Sequence, residues 1–335
     1  MTKVIVGFLL SFALAVSLMP FIIKLIRKLS CSQTILKYVE EHKSKQGTPT
    51  MGGVVFFVST LIIAVILMKY STPLAMSLGV GVGFALIGLM DDFIKVKFKQ
   101  NLGLRPYQKI IGQVGISLIL AFYIYFWSPN KGMIYLPFTF KAINLGFWII
   151  PLVVIVCLAT TNSVNLTDGL DGLAGGVSVV YGTIFIALIS IFASIAFKSG
   201  EIDSFIMMYK DMATLLAIFI GSVVAFLIFN TNRASIFMGD VGSLGVGGIF
   251  ASTACVMGFE LMLAIIGIMF VISALSVIVQ VGYFKLTKGK RIFKMAPLHH
   301  HFQMCGYSEA KIGYIYQTIT LIVGLITILL TLVFI

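Results

Sequence analysis

The chain has 335 residues, of which 59% are hydrophobic and 11% charged, and its mean hydropathy is +1.07. Ordinary soluble domains carry about 25% charged residues, and apolar runs near or above ~18 residues recur throughout, so a soluble architecture is excluded in favour of one all-α, polytopic integral membrane domain over residues 1–335. The net charge of +12 predicts no nucleic-acid partner, because no aromatic-interleaved basic domain exists to carry one.

Ten spans are expected. The first, 4–23, is followed rather than preceded by basic residues and has no clear cleavage site, so it is expected to be retained rather than removed as a signal. The loop after it, 43–53, reads Lys-Ser-Lys-Gln-Gly-Thr-Pro-Thr-Met-Gly-Gly. A basic patch holding Lys45 thus precedes glycines that open the second span (52–68), a place to receive phosphates at a helix start or simply a close helix contact. The third span (74–90) runs into Asp91-Asp92, with Lys95 four residues beyond Asp91. Adjacent carboxylates repel, and their neutralising cation is either Lys95 or a divalent metal. The fourth span covers 110–127, just past Lys109. The loop 128–145 alternates apolar and polar residues around Pro137 and predicts a small hairpin.

The fifth span (146–161) leads into Asn162 to Leu173, which reads Asn-Ser-Val-Asn-Leu-Thr-Asp-Gly-Leu-Asp-Gly-Leu. Asn162, Asn165, Asp168 and Asp171 recur every third residue, close to one face of a helical turn. A plain polar turn is the alternative, but such turns do not need two amides and two carboxylates in register. The sixth span (174–197) and seventh span (212–229) follow. Next comes a loop running from Asn230 through Phe237 and Gly239-Asp240 to Ser243. Asp240 lies on a flexible, glycine-flanked backbone, and Phe237 either stacks on a base or packs at the bilayer edge. The eighth span is 244–259, and the ninth, 261–284, is long enough to tilt or bend. After it stand His299, His300 and His301. In an extended backbone His299 and His301 would share a side, suited to an anionic group among the neighbouring lysines and arginines, or the three are interfacial histidines. A zinc site is disfavoured for want of other strong ligands, and the four scattered cysteines suggest neither zinc nor a disulfide framework. The tenth span is 312–335.

Eighteen of the 24 lysines and arginines fall in the odd-numbered loops, which makes those loops cytoplasmic and both termini extracytoplasmic. Eight of the twelve acids then face the cytoplasm, and none interrupts the middle of a span. This argues against an ion-coupled carrier, though a carrier for uncharged sugars stays open.

Together, five cytoplasmic segments resemble those of the polyprenyl-phosphate N-acetylhexosamine-1-phosphate transferases. They are Gly47 to Gly53, Asp91-Asp92 with Lys95, Asn165 to Gly172, Phe237 to Asp240, and Pro297 to Phe302. The last is similar to the segment that marks the branch taking a muramoyl-pentapeptide donor. The resemblance covers essentially the whole chain; Glu309 has no role that it assigns. It implies ten spans with both termini outside, a bent ninth helix, a homodimer and Mg²⁺ dependence. It also implies transfer of phospho-MurNAc-pentapeptide from UDP-MurNAc-pentapeptide to undecaprenyl phosphate in the bacterial plasma membrane, releasing UMP and making lipid I for peptidoglycan. A branch using UDP-N-acetylglucosamine is the alternative donor class.

A reaction between anionic partners calls for charge neutralisation and alignment more than covalent chemistry. On this reading Asp240 is the Mg²⁺ ligand. Asp91 takes a proton from the lipid phosphate, with Asp92 supporting it or approaching the metal; an aspartyl phospho-enzyme is the alternative role for an Asp. Lys95 and Lys109 meet phosphates. Asn165, Asp168 and Asp171 shape the nucleotide pocket, with Phe237 stacking on uracil and Lys45 nearby; His299 and His300 position the diphosphate or sugar, and Asn162, Asn230 and His301 are further substrate-binding candidates.

Overall fold

The computed structural model describes residues 2–28, 47–98, 102–139, 141–198, 203–231 and 233–334. Among them nine helices are long and apolar enough to cross a membrane. These are α1 (Thr2–Lys28), α3 (Thr72–Lys97), α4 (Pro106–Phe126), α5 (Ile149–Thr167, entered through a 3₁₀ turn at Gly146–Trp148), α6 (Leu173–Lys198), α7 (Asp203–Asn230), α8 (Gly239–Met257), α10 (Ile268–Leu286) and α12 (Glu309–Phe334). A shorter apolar helix, α2 (Gly53–Leu67), and two short pieces, α9 (Glu260–Ile266) and α11 (Leu298–Gln303), complete the helical set.

Helices are what this composition dictates, since a backbone in lipid must satisfy its own N–H and C=O groups. Interior hydroxyls do the same. Thr60 donates to the carbonyl of Phe56 one turn back (2.7 Å) and shares a hydrogen bond with Ser222 of α7 (3.1 Å). The nearly fully buried α8 and mostly buried α7 form the centre, while α1, α10 and α12 leave most of their surface exposed. α8 packs between α3 and α5, and α7 between α1 and α6. The α3–α8 contact sets up everything that follows. A Cβ on Gly88 would overlap the backbone carbonyl of Asp240, so the two helices meet backbone to backbone at that level.

The helices differ from the expected spans mainly at their polar ends. The third, fifth and eighth were expected to stop or start short, at 90, 161 and 244. Instead α3 continues to Lys97, α5 continues to Thr167, and α8 begins at Gly239. Hydropathy falls where polar side chains begin, but a helix persists wherever those side chains face a polar pocket in the protein. The seventh span likewise starts early, at Asp203, which brings Asp211 inside the helix, where its carboxylate accepts the Ser71 hydroxyl (2.6 Å). The bend expected in the ninth span is the break between α9 and α10 at Gly267. The predicted hairpin is also present. β1 (Met133–Tyr135) pairs antiparallel with β2 (Ala142–Asn144), and the Tyr135 N–H donates to the Gly258 carbonyl (2.8 Å), pinning the hairpin to the α8–α9 corner.

Candidate active site

The polar ends of α3, α5 and α8 and the start of α4 converge on one cluster of carboxylates, while the end of α7, α11 and the start of α12 meet the adjoining turn from Asp168 to Gly172. Asp91 and Asp92, in the last turns of α3, are buried, and Asp240 lies in the first turn of α8. Each can offer an oxygen within 4.8 Å of the others'. Two ammonium groups balance them. Lys95, one turn after Asp91, lies 2.6 Å from its Oδ2 and 3.0 Å from Asp240 Oδ2. Lys109, near the start of α4, lies 2.8 Å from the same Asp240 oxygen. The spacing that offered Lys95 as partner to Asp91 is realised on a helix rather than in a loop. Both ammonium groups converging on Asp240 is a tertiary event that the spacing does not contain.

Hydrogen bonds fix each carboxylate further. Asp91 Oδ1 accepts the Leu104 N–H (2.8 Å), which ties the segment before α4 over the cluster. Asp92 Oδ2 accepts the Val241 N–H (3.0 Å) in the first turn of α8, where the helix dipole favours a negative charge. Asp240 Oδ1 accepts an N–H from Asn165 Nδ2 (2.8 Å), which also lies 2.8 Å from Ser243 Oγ. Asn162, one turn earlier on α5, donates to Gln113 Oε1 of α4 (2.8 Å).

Asp168 follows the last residue of α5, with chain turning back through Gly169 into α6. Burial first, then the charges of Asp240, Asp92 and Asp171, push its carboxyl up to about 8. Gly169 is packed against the two imidazoles of α11. A Cβ there would overlap His299 Nε2 and stand 3.0 Å from His300 Nε2. His299 is fully buried, and neither ring nitrogen has a hydrogen-bond partner. Burial and the neighbouring His300 hold its pKa down at about 3, so it is neutral at pH 7. The extended pairing of His299 with His301 does not occur. Pro297 starts a helical turn, which puts His299 and His300 toward Gly169. His301 points elsewhere: its Nδ1 accepts the Lys294 N–H (3.1 Å), and its ring lies against Phe293.

Asp171 and Asn230 are engaged with backbone. Asp171 Oδ2 accepts the Ala234 N–H (3.1 Å). Asn230 Oδ1 accepts the Gly172 N–H (3.0 Å), and its Nδ2 donates to the Ile236 carbonyl (2.9 Å). The half-buried Phe237 is held by backbone pairing to Pro49 and Gly52 (2.8 and 2.9 Å). Lys45 lies outside the described residues. Sequence reasoning missed Gln113, Ser243 and Glu309 as members of this network. Gln113 had a signal, being one helical turn beyond Lys109 and so on its face; the other two had none.

Three carboxylates converging within one shell form the oxygen-only donor set that suits a hard divalent cation. Held at the end of an apolar bundle beside two lysines, the set is suited to binding phosphates and stabilising charge during their transfer.

A family model described as glycosyl transferase family 4 matches residues 74–259, and a phospho-N-acetylmuramoyl-pentapeptide-transferase signature matches 45–57. The chain is 40% identical over 322 residues to the phospho-N-acetylmuramoyl-pentapeptide-transferase of Clostridioides difficile, covering 96% of this chain and 95% of that protein. It is 41% identical to that of Clostridium botulinum (strain Alaska E43) and 40% identical to that of Halalkalibacterium halodurans, each over 96% of this chain and 95% of the relative. Similarity at this level over nearly the full length settles the relationship: the chain belongs to the phospho-N-acetylmuramoyl-pentapeptide transferases, within glycosyl transferase family 4.

Proposed function

We propose that the chain transfers phospho-MurNAc-pentapeptide from UDP-MurNAc-pentapeptide to undecaprenyl phosphate, giving lipid I and UMP for peptidoglycan synthesis, with Mg²⁺ as the cation. It is a multi-pass protein of the bacterial cytoplasmic membrane. The observation that carries the reading is the meeting of Asp91, Asp92 and Asp240 with Lys95 and Lys109 at one end of the helix bundle. The charge asymmetry of the loops supports placing that end, and the site, at the cytoplasmic face. An undecaprenyl tail requires a site at the bilayer, and a soluble nucleotide donor requires access from water.

Asp91, Asp92 and Asp240 would hold Mg²⁺, which when bound neutralises the donor diphosphate and the leaving UMP. Lys95 and Lys109 then turn from Asp240 toward phosphate oxygens. Asp91 takes a proton from the lipid phosphate where one remains; the second pKa of a phosphate monoester is about 6, so this demand is small near neutral pH. Asn165 keeps Asp240 aimed through its amide hydrogen bond. His299, buried against Gly169, holds the turn in place, and its neighbour His300 presents a ring nitrogen to the diphosphate or sugar. Phe237 stacks on uracil, and Lys45 and Asn162 complete the donor side. Asp171 and Asn230 shape the pocket by holding its loops, and Asp168 lines its floor. A homodimer completes the reading, by resemblance.

Purified protein in detergent, given undecaprenyl phosphate and either UDP-MurNAc-pentapeptide or UDP-N-acetylglucosamine, tests the donor assignment. UMP release from the muramoyl donor alone is expected. Release from the glucosamine donor alone would move the chain to the other branch.

A further inference from the structure

We infer that Glu309 is a positioning residue whose carboxylate latches the Asp168–Gly172 turn to the start of α12, keeping the two histidines and the Phe237 loop in register around the donor. The inference rests on the transfer reaction proposed above. Glu309 is the first residue of α12, and α12 follows the histidine-bearing α11 after a short connection. Its Oε2 accepts the backbone N–H of Asp171 (3.2 Å). Asp171 in turn accepts the Ala234 N–H through Oδ2 (3.1 Å), which carries the link into the loop that ends at Phe237 and Asp240. Asn230 makes a second tie between the same two segments, from Gly172 N–H to Oδ1 and from Nδ2 to Ile236 O.

The turn is therefore the point where three separate stretches of chain meet. On one side Gly169 packs against His299 and His300, and on the other Asp171 holds Ala234. Glu309 closes the triangle by joining the histidine segment to the turn through an acceptor rather than through packing. A carboxylate placed on a backbone N–H makes a charge-assisted hydrogen bond, and losing it leaves a part-buried donor unmet. Because Glu309 acts on the backbone of the turn, its loss should disturb donor binding before it disturbs the carboxylate cluster.

The test compares Glu309→Ala and Glu309→Gln with the parent, measuring UMP-release kinetics and amide hydrogen exchange across 166–176 and 231–238. Glu309→Ala should raise the KM for UDP-MurNAc-pentapeptide about tenfold, with the KM for undecaprenyl phosphate within about twofold of the parent. Exchange at Asp171 and Ala234 should speed up in the same variant, with Tm nearly unchanged. Glu309→Gln keeps an oxygen that accepts the Asp171 N–H and should restore both readouts. Parent-like KM and exchange in Glu309→Ala overturn the inference. Equal damage in both variants, or a fall in Tm alone, also overturns it, since either outcome assigns Glu309 a charge or packing role. A parent that releases no UMP defeats the transfer reading instead, and the exchange arm still judges the latch.

Discussion

Lys109→Ala should move metal affinity and turnover in opposite directions. Lys109 Nζ lies 2.8 Å from Asp240 Oδ2, and Lys95 Nζ lies 3.0 Å from the same oxygen. A cation bound through that oxygen has to displace at least one ammonium. At ~2.8 Å and an effective dielectric near 20, the bare Lys109–Asp240 attraction is ~6 kcal/mol. Desolvation offsets most of that, and hydrogen bonds to charged groups contribute about 1.5–3 kcal/mol net. The lower end applies here because Lys95 remains on the same oxygen. Removing Lys109 therefore lowers the half-saturating Mg²⁺ concentration about tenfold, at 1.4 kcal/mol per decade. Turnover falls in the same variant, by about 100-fold or more, because one preorganised donor to the transferred phosphates contributes about 2.7–4 kcal/mol. Initial rates of UMP release across a Mg²⁺ titration read both quantities. A half-saturating concentration that stays put or rises refutes the competition argument. Turnover within about threefold of the parent refutes the phosphate role.

Three further outcomes follow from the same geometry. Asp240→Asn should lose turnover by about 1000-fold while staying folded, since the amide is isosteric and can still meet Asn165 although it gives up the two lysine contacts; near-normal UMP release would remove Asp240 from the metal role. Gly169→Ala should cut turnover at least about tenfold by pushing His299 and His300 aside, and parent-like kinetics would show that the histidines need no fixed place. Asp168→Asn should raise Tm relative to the parent at pH 8 in metal-free buffer and lose that advantage by pH 4. The native carboxyl has its pKa raised from 3.8 to about 8, so the folded state binds the extra proton and the parent loses stability as pH rises through that window. A Tm difference independent of pH contradicts the raised pKa of Asp168.

Much of this site was legible in the sequence because its parts are local. Asp91 and Lys95 pair across one helical turn, as their spacing allows. The three-residue recurrence from Asn162 to Asp171 placed Asn162 and Asn165 on one helix, where the second reaches Asp240. The recurrence does not continue as one face, since α5 ends at Thr167 and the turn sends Asp168 and Asp171 different ways. The approach of Asp91 and Asp92 to Asp240 depends on α3 meeting α8 at Gly88, a tertiary contact that no spacing announces. The histidines were misread as extended because triplet alternation was weighed above Pro297, a residue that commonly opens helices. Glu309 carried no signal at all; only the fold brings it to Asp171.

The central claim is that Asp91, Asp92 and Asp240 form a divalent-cation site for phosphoryl transfer. Its most direct test is the rate of UMP release from UDP-MurNAc-pentapeptide by chelator-treated protein as Mg²⁺ is restored. The account predicts no release under chelator and saturable recovery with the metal. Release that proceeds at the full rate with chelator present would contradict it.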